Sequence, residues 1–173
     1  MTSLLRFSPT LLAVFLLCLS SCKDEKAAAT SSTLGQKISI ANAKADVQLD
    51  KLQLPEGFTI DVWAADVPNA RSMALSETGT VFIGNRQENN VYALVDENGD
   101  GKADSKYILA TDLRMPNGVA IKDGDLYVAE VSRILRFKDI ENNLTNPTYE
   151  VVYDGYPDEA HHGWKFIAFG PDG

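Results

Sequence analysis

The chain has 173 residues, 45% of them hydrophobic and 23% charged, with 12 glycines, 7 prolines and 2 cysteines. That composition excludes a collagen, a disulfide-stapled scaffold and a wholly disordered chain, and the length suits one domain with a sizeable core. With 16 basic against 24 acidic residues the formal net charge is −8, which argues against nucleic acid as a partner.

In chain order, the first element is an address. Arg6 is the sole charge in residues 1–21, and Leu11–Leu19 is an apolar run of nine. This is the positive start and short apolar stretch of a signal peptide, too short to span a membrane as a mature helix. It ends in Leu19-Ser20-Ser21-Cys22, similar to a bacterial lipobox, in which the cysteine is acylated and becomes the new N-terminus. A plain secretory signal with an incidental cysteine is the alternative. Residues 1–21 are therefore expected to be a lipoprotein signal peptide. Cys22 is the lipidation site, and a lipid anchor is the chain's only membrane contact. The expected location is the cell envelope, most naturally the outer membrane, facing the periplasm or the cell surface. Residues 22–53 are polar, rich in Ala, Ser and Thr and poor in aromatics, and read as a flexible tether.

From Leu54 the texture changes to short alternating runs separated by Gly, Asn and Asp, and no stretch sustains a 3.6-residue period. The period of two predicts an all-β chain. These runs fall into a repeat. Ser72–Gly79 is followed by Thr80–Gly84, Gly118–Gly124 by Asp125–Ala129, and Phe166–Gly173 opens a third copy. The small central residue recurs at Ala74, Ala120 and Ala168, 46 and 48 residues apart, and the turn glycine at Gly79, Gly124 and Gly173. A third strand (Asn90–Leu94, Arg133–Phe137) and an outer one (near Lys106–Thr111 and Tyr149–Tyr153) follow each complete hairpin, and Phe58–Ala64 reads as a further outer strand. Four strands every ~45 residues is the pattern of a β-propeller blade; a β-sandwich is the alternative. About 120 residues beyond the tether make some two and a half blades, whereas the smallest closed propellers have four. The sequence is therefore expected to be the N-terminal part of a longer protein and inactive by itself.

Three features carry chemistry. Arg71, Asn117 and Lys165 each stand three positions before a register alanine. That places them at the mouth of a propeller channel, where two cations and an amide suit an anionic ligand or line a hydrated rim. Asp96-Glu97-Asn98-Gly99-Asp100-Gly101-Lys102-Ala103-Asp104 fits D-x-N-x-D-G-x-x-D. Asp96, Asn98, Asp100 and Asp104 with the Lys102 carbonyl make an oxygen set for Ca²⁺. Position twelve is Tyr107 rather than the bidentate Glu of an EF-hand. Either a calcium-stiffened turn of structural role or a metal-free Asp/Gly turn is expected. Finally, the chain's two histidines, His161 and His162, are adjacent and precede the third repeat. A neutral imidazole there is suited to take a proton from a substrate hydroxyl; a loop histidine satisfied by backbone bonds is the alternative.

Taken together, LPEGFTIDVWAADVPNARSMAL, GTVFIGNR, NNVYALVDENGDGKAD, LRMPNGVAI, DLYVAEVSRILRF and HHGWKFIAFGPDG resemble the soluble sugar dehydrogenases that use pyrroloquinoline quinone, most of all the sorbosone dehydrogenase branch. The likeness runs from Leu54 to Gly173. It implies a six-bladed propeller with the quinone over the channel mouth. A histidine just before a G-P-D turn is then the general base, which falls on His162, with His161 the alternative. Arg71, Asn117 and Lys165 become candidate contacts for the quinone's carboxylates. The implied reaction oxidises a small-molecule sugar or sugar-derived aldehyde and passes electrons to a respiratory acceptor. The glucose-oxidising members show an arginine shortly after the histidine, where this chain has Lys165, so substrate preference stays open. Met115–Ala120 also resembles calcium-dependent lactonases, which need no quinone, and a non-catalytic propeller that binds a glycan or a protein is a third reading.

Overall fold

A computed structural model describes residues 34–172; the expected signal peptide 1–21, Cys22 and the first part of the tether lie outside the described residues. The chain there forms nine strands: β1 (Lys37–Ser39), β2 (Ala70–Leu75), β3 (Val81–Asn85), β4 (Val91–Val95), β5 (Ser105–Ala110), β6 (Gly118–Lys122), β7 (Asp125–Ala129), β8 (Ile134–Phe137) and β9 (Glu150–Tyr153). Two 3-10 turns, Leu49–Lys51 and Ile140–Asn143, complete the regular structure. Among the described residues there is no α-helix, and no helix long and apolar enough to cross a membrane.

The strands make two antiparallel sheets, β1-β5-β4-β3-β2 and β6-β7-β8-β9. Each contains a four-strand meander in the expected hairpin order. The turn chemistry explains the tight hairpins. Between Lys122 and Asp125, Asp123 and Gly124 both take positive φ (52° and 80°), the two-residue turn whose twist matches its strands. The β2–β3 turn needs Gly79 at φ +96°, with Ser76 Oγ accepting the Thr80 amide at 3.1 Å.

Alternation along the strands builds the core. Phe82, Val91, Ala93 and Leu109 from the first sheet pack with Val119, Leu126, Val128, Leu135 and Phe137 from the second, sealed by Ile140. Removing each large side chain from water stabilises the pair of sheets by roughly 1.5–3 kcal/mol. The opposite face of the first sheet carries Ile83, Tyr92, Leu94 and Ile108, covered in part by Ile38, Ile40, Trp63, Ala64 and Val67.

Two expectations are corrected. The reading of 22–53 as a tether fails in its second half: Lys37–Ser39 pairs with Ser105–Tyr107 as a fifth strand, and Ile40 is buried beside it. Phe58–Ala64 alternates like a strand but pairs with nothing in a ladder. Phe58 and Ile60 stay exposed, while Trp63 and Ala64 cap the first sheet, and the Trp63 carbonyl accepts the Ala103 amide (2.8 Å). The opening of the third copy, described over residues 166–172, forms no ladder and runs beside β6, with Phe169 edge-on to Tyr127 at 5.0 Å.

Candidate functional site

Antiparallel pairing puts the start of β2, the end of β3, the start of β4 and the end of β5 at one end of the first sheet. The start of β6 and the end of β7, the start of β8 and the end of β9 share one end of the second. The two ends are locked together where Gly84 runs against Pro116 and Asn117. The Asn85 amide donates to the Pro116 carbonyl at 2.9 Å, and a Cβ on Gly84 would lie 2.2 Å from the Asn117 carbonyl oxygen. A side chain there has no room, so only glycine permits the junction. Arg71, Arg86, Asn117, His161, His162 and Lys165 all belong to loops or strand ends on this one side.

The histidine turn is the most constrained part of it. His162 has φ 56°, a left-handed conformation that costs roughly 1 kcal/mol or more and persists where the surroundings impose it. Gly163 donates to the Ala160 carbonyl at 3.1 Å, and a Cβ there would meet the Glu159 carbonyl at 2.0 Å. Lys165 straps the turn: its Nζ donates to the Gly163 carbonyl at 2.9 Å and to the Val131 carbonyl, and sits 4.7 Å from the Tyr156 ring. Asn117, fully buried, donates from Nδ2 to the Lys165 carbonyl at 2.9 Å, while its Oδ1 accepts no hydrogen bond from the described residues. Both imidazoles are exposed and face each other at 4.2 Å.

Neighbouring loops are braced by acids. Buried Glu130 accepts the Arg114 amide at 2.6 Å and lies 2.5 Å from Arg133 Nη2. The Arg114 side chain bonds Asp158 and holds its carboxyl below the usual range. These contacts fix 111–117 against 130–133 and 154–158, the frame on which the histidine turn rests.

The structure thus gives the sequence-derived residues different work. Arg71 is exposed and lines a cavity of about 210 Å³ with Asn69, Ala70, Arg86 and Gln87; neither arginine has an acidic partner among the described residues. Lys165 directs its ammonium to backbone carbonyls, and Asn117 anchors Lys165. Two residues were missed. Arg86 lies outside the three-residue register offset, and Trp164 was noticed only as part of a string; yet the Arg86 guanidinium carbon sits 3.7 Å from the Trp164 ring, itself 5.4 Å from His162.

The acidic loop stands at the far end, between β4 and β5. Its carboxylates accept the loop's own amides: Asp96 takes those of Gly99 (2.8 Å) and Gly101 (2.9 Å), and Asp100 that of Lys102 (2.9 Å). Asp104 takes the Glu97 amide (2.8 Å), and the Asn98 side-chain Oδ1 takes that of Asp100 (2.8 Å). Lys102 pairs with Asp61 at 3.0 Å. Among the described residues no three His, Cys, Asp or Glu side chains stand together in a metal-holding group.

Fold and site define an all-β protein of two meander sheets with a histidine-bearing loop end that also carries Arg71 and Arg86. Residues 44–173 match the family described as a domain of unknown function (DUF7133), and the chain belongs to that family. The match begins at residue 44, inside the segment expected to be a tether and after β1. No curated protein matches the chain.

Proposed function

We propose that this protein is a propeller-type quinoprotein, anchored by lipid on Cys22 in the cell envelope. In this reading it oxidises a sugar or sugar-derived aldehyde with pyrroloquinoline quinone, and electrons leave to a respiratory acceptor. The propeller reading is supported by the repeated meander and by the two inner edge strands, β2 and β6, lying side by side with Ile167–Phe169 along one open groove of about 850 Å³. The observation that carries the function is the convergence of His162 with Arg71, Arg86 and Trp164 at one end of both sheets.

The residues fit the quinone's chemistry. Its carboxylates need a cation free of an acidic partner, which the exposed Arg71 supplies, and guanidinium groups recognise carboxylates with paired N–H donors. When bound, the quinone supplies a two-electron hydride acceptor. His162 takes the proton of the substrate hydroxyl on an imidazole nitrogen, for an aldehyde that of its hydrate, while the strapped turn keeps the ring at a fixed place on the loop end. Lys165 acts through the Gly163 and Val131 carbonyls rather than on the ligand. Calcium at Asp96–Asp104 belongs to this reading only as a brace of the β4–β5 turn, at the end away from the histidines.

The test is dye reduction by the intact protein supplied with quinone and Ca²⁺, using aldoses and sorbosone. Turnover is expected, falling by about 10²-fold or more in His162→Gln and retained in His161→Gln. No turnover with any substrate, or full turnover in His162→Gln, overturns the assignment.

A further inference from the structure

A catalytic base is normally oriented by a third group that hydrogen-bonds its ring. Here no hydrogen bond or ion pair holds the ring of His161 or His162 among the described residues; both make ring contacts only. The contacts form a continuous stack. His161 meets His162 at 4.2 Å with ring planes 72° apart, His162 meets Trp164 at 5.4 Å and 40°, and the Arg86 guanidinium covers the Trp164 ring at 3.7 Å.

The two ends of the stack come from different sheets. His162 and Trp164 follow β9 of the second sheet, whereas Arg86 follows directly on β3 of the first. Arg86 also has a rigid root. Asn85 is fully buried; its amide bonds the Pro116 carbonyl at 2.9 Å and its Nδ2 the Pro68 carbonyl at 2.7 Å. Its Oδ1 accepts the Gln87 and Glu88 amides at 2.9 and 2.6 Å. A guanidinium on so fixed a stem, lacking an acidic partner, is held by the indole face through the attraction of a cation for the ring quadrupole.

We propose that Arg86 is a positioning residue for His162: it clamps the Trp164 indole, and the clamped indole sets the plane of the His162 imidazole. Arg86 touches none of the reacting atoms in this role, and its effect on turnover rests on the reading of His162 as the base.

The test reads the stack first without any activity. The chain has two tryptophans, so Trp63→Phe leaves Trp164 as the sole indole. An imidazole in contact quenches indole emission, so at one fixed pH Trp164 emission is expected to step up when His162→Gln removes the contact. Arg86→Leu is expected to shrink the step by roughly twofold or more, and Arg86→Lys to restore most of it, because the ammonium retains the cation–ring attraction. An undiminished step in Arg86→Leu overturns the proposal. So does equal loss in Arg86→Lys and Arg86→Leu with urea midpoints unchanged. If Arg86→Leu does not fold, Arg86→Gln takes its place, and acrylamide access to Trp164 is expected to increase; unchanged access overturns the proposal.

The second readout is quinone-dependent turnover, where Arg86→Leu is expected to lower kcat about tenfold with KM for the sugar unchanged. Loss of the emission step without any turnover in the parent protein retains the clamp and refutes the dehydrogenase reading. Turnover that Arg86→Leu leaves untouched refutes the clamp and retains that reading.

Discussion

Gly84→Ala perturbs the junction on which the loop end is built. The added Cβ would lie 2.2 Å from the Asn117 carbonyl oxygen, 2.7 Å from that of Pro116 and 2.8 Å from the Asn117 carbonyl carbon. Ordinary carbon–oxygen contacts begin near 3.3 Å, so the two backbones must part by about 1 Å. All three atoms are main chain and cannot rotate away. Separation stretches the 2.9 Å bond from the Asn85 amide to Pro116, worth about 1 kcal/mol, and the overpacking itself costs about 1–3 kcal/mol. The expected loss is about 2–4 kcal/mol in urea unfolding at neutral pH. Gly79→Ala is the comparison: its Cβ would meet nothing within 4 Å, but φ is +96°, so the cost is conformational, on the order of 1 kcal/mol. Because Asn117 also holds the Lys165 carbonyl, amides of the histidine turn should exchange faster in Gly84→Ala and not in Gly79→Ala. A Gly84→Ala protein as stable as the parent to within about 0.5 kcal/mol refutes the reasoning.

Lys165→Met keeps most of the unbranched side chain but removes the donor to the Val131 and Gly163 carbonyls. A loss of about 1–3 kcal/mol is expected, with faster exchange confined to the 159–166 segment; unchanged exchange there contradicts the strap. At the far end, burial pushes the Asp125 carboxyl up, but the Asp139 amide and the Arg136 guanidinium outweigh it and hold it below its ordinary value. A carboxyl whose folded pKa lies below its unfolded one adds stability above the unfolded value and loses it as pH falls through the folded one. The stability gap between the parent and Asp125→Asn should therefore be full near neutral pH and narrow below about pH 4. A gap that does not change with pH contradicts the assignment.

The strands were legible because burial on one face imprints a period of two, and because hairpin turns demand residues such as Asp123-Gly124 and Gly79 whose φ is positive. The edge strand β1 was not. Lys37–Ser39 joins the sheet through main-chain bonds to β5, and its alternation, Ile38 and Ile40 inward, is too short to stand out from the polar stretch around it. Phe58–Ala64 misled for the converse reason. Its alternation is real, but the segment ends in Trp63 and Ala64, two consecutive residues that both cap the first sheet instead of flanking a paired strand. At the site, His161, His162, Arg71, Asn117 and Lys165 were found by register and motif, and the fold does gather them at one end. Their division of labour was hidden, since it depends on where an ammonium or an amide is spent. Arg86 could not be found from spacing at all, because its partner Trp164 lies 78 positions away in sequence and meets it only once both sheets are in place.

The central claim is that His162 removes the proton when a sugar or its aldehyde reduces quinone bound at the loop end. Anaerobic mixing of the quinone-loaded intact protein with sorbosone or an aldose, followed by the quinone's own absorbance in a single turnover, tests it most directly. The parent protein should convert oxidised to reduced quinone, and His162→Gln should bind quinone equally but convert it about 10²-fold or more slowly. Failure of the parent to retain quinone, or equal rates in parent and variant, would contradict the claim.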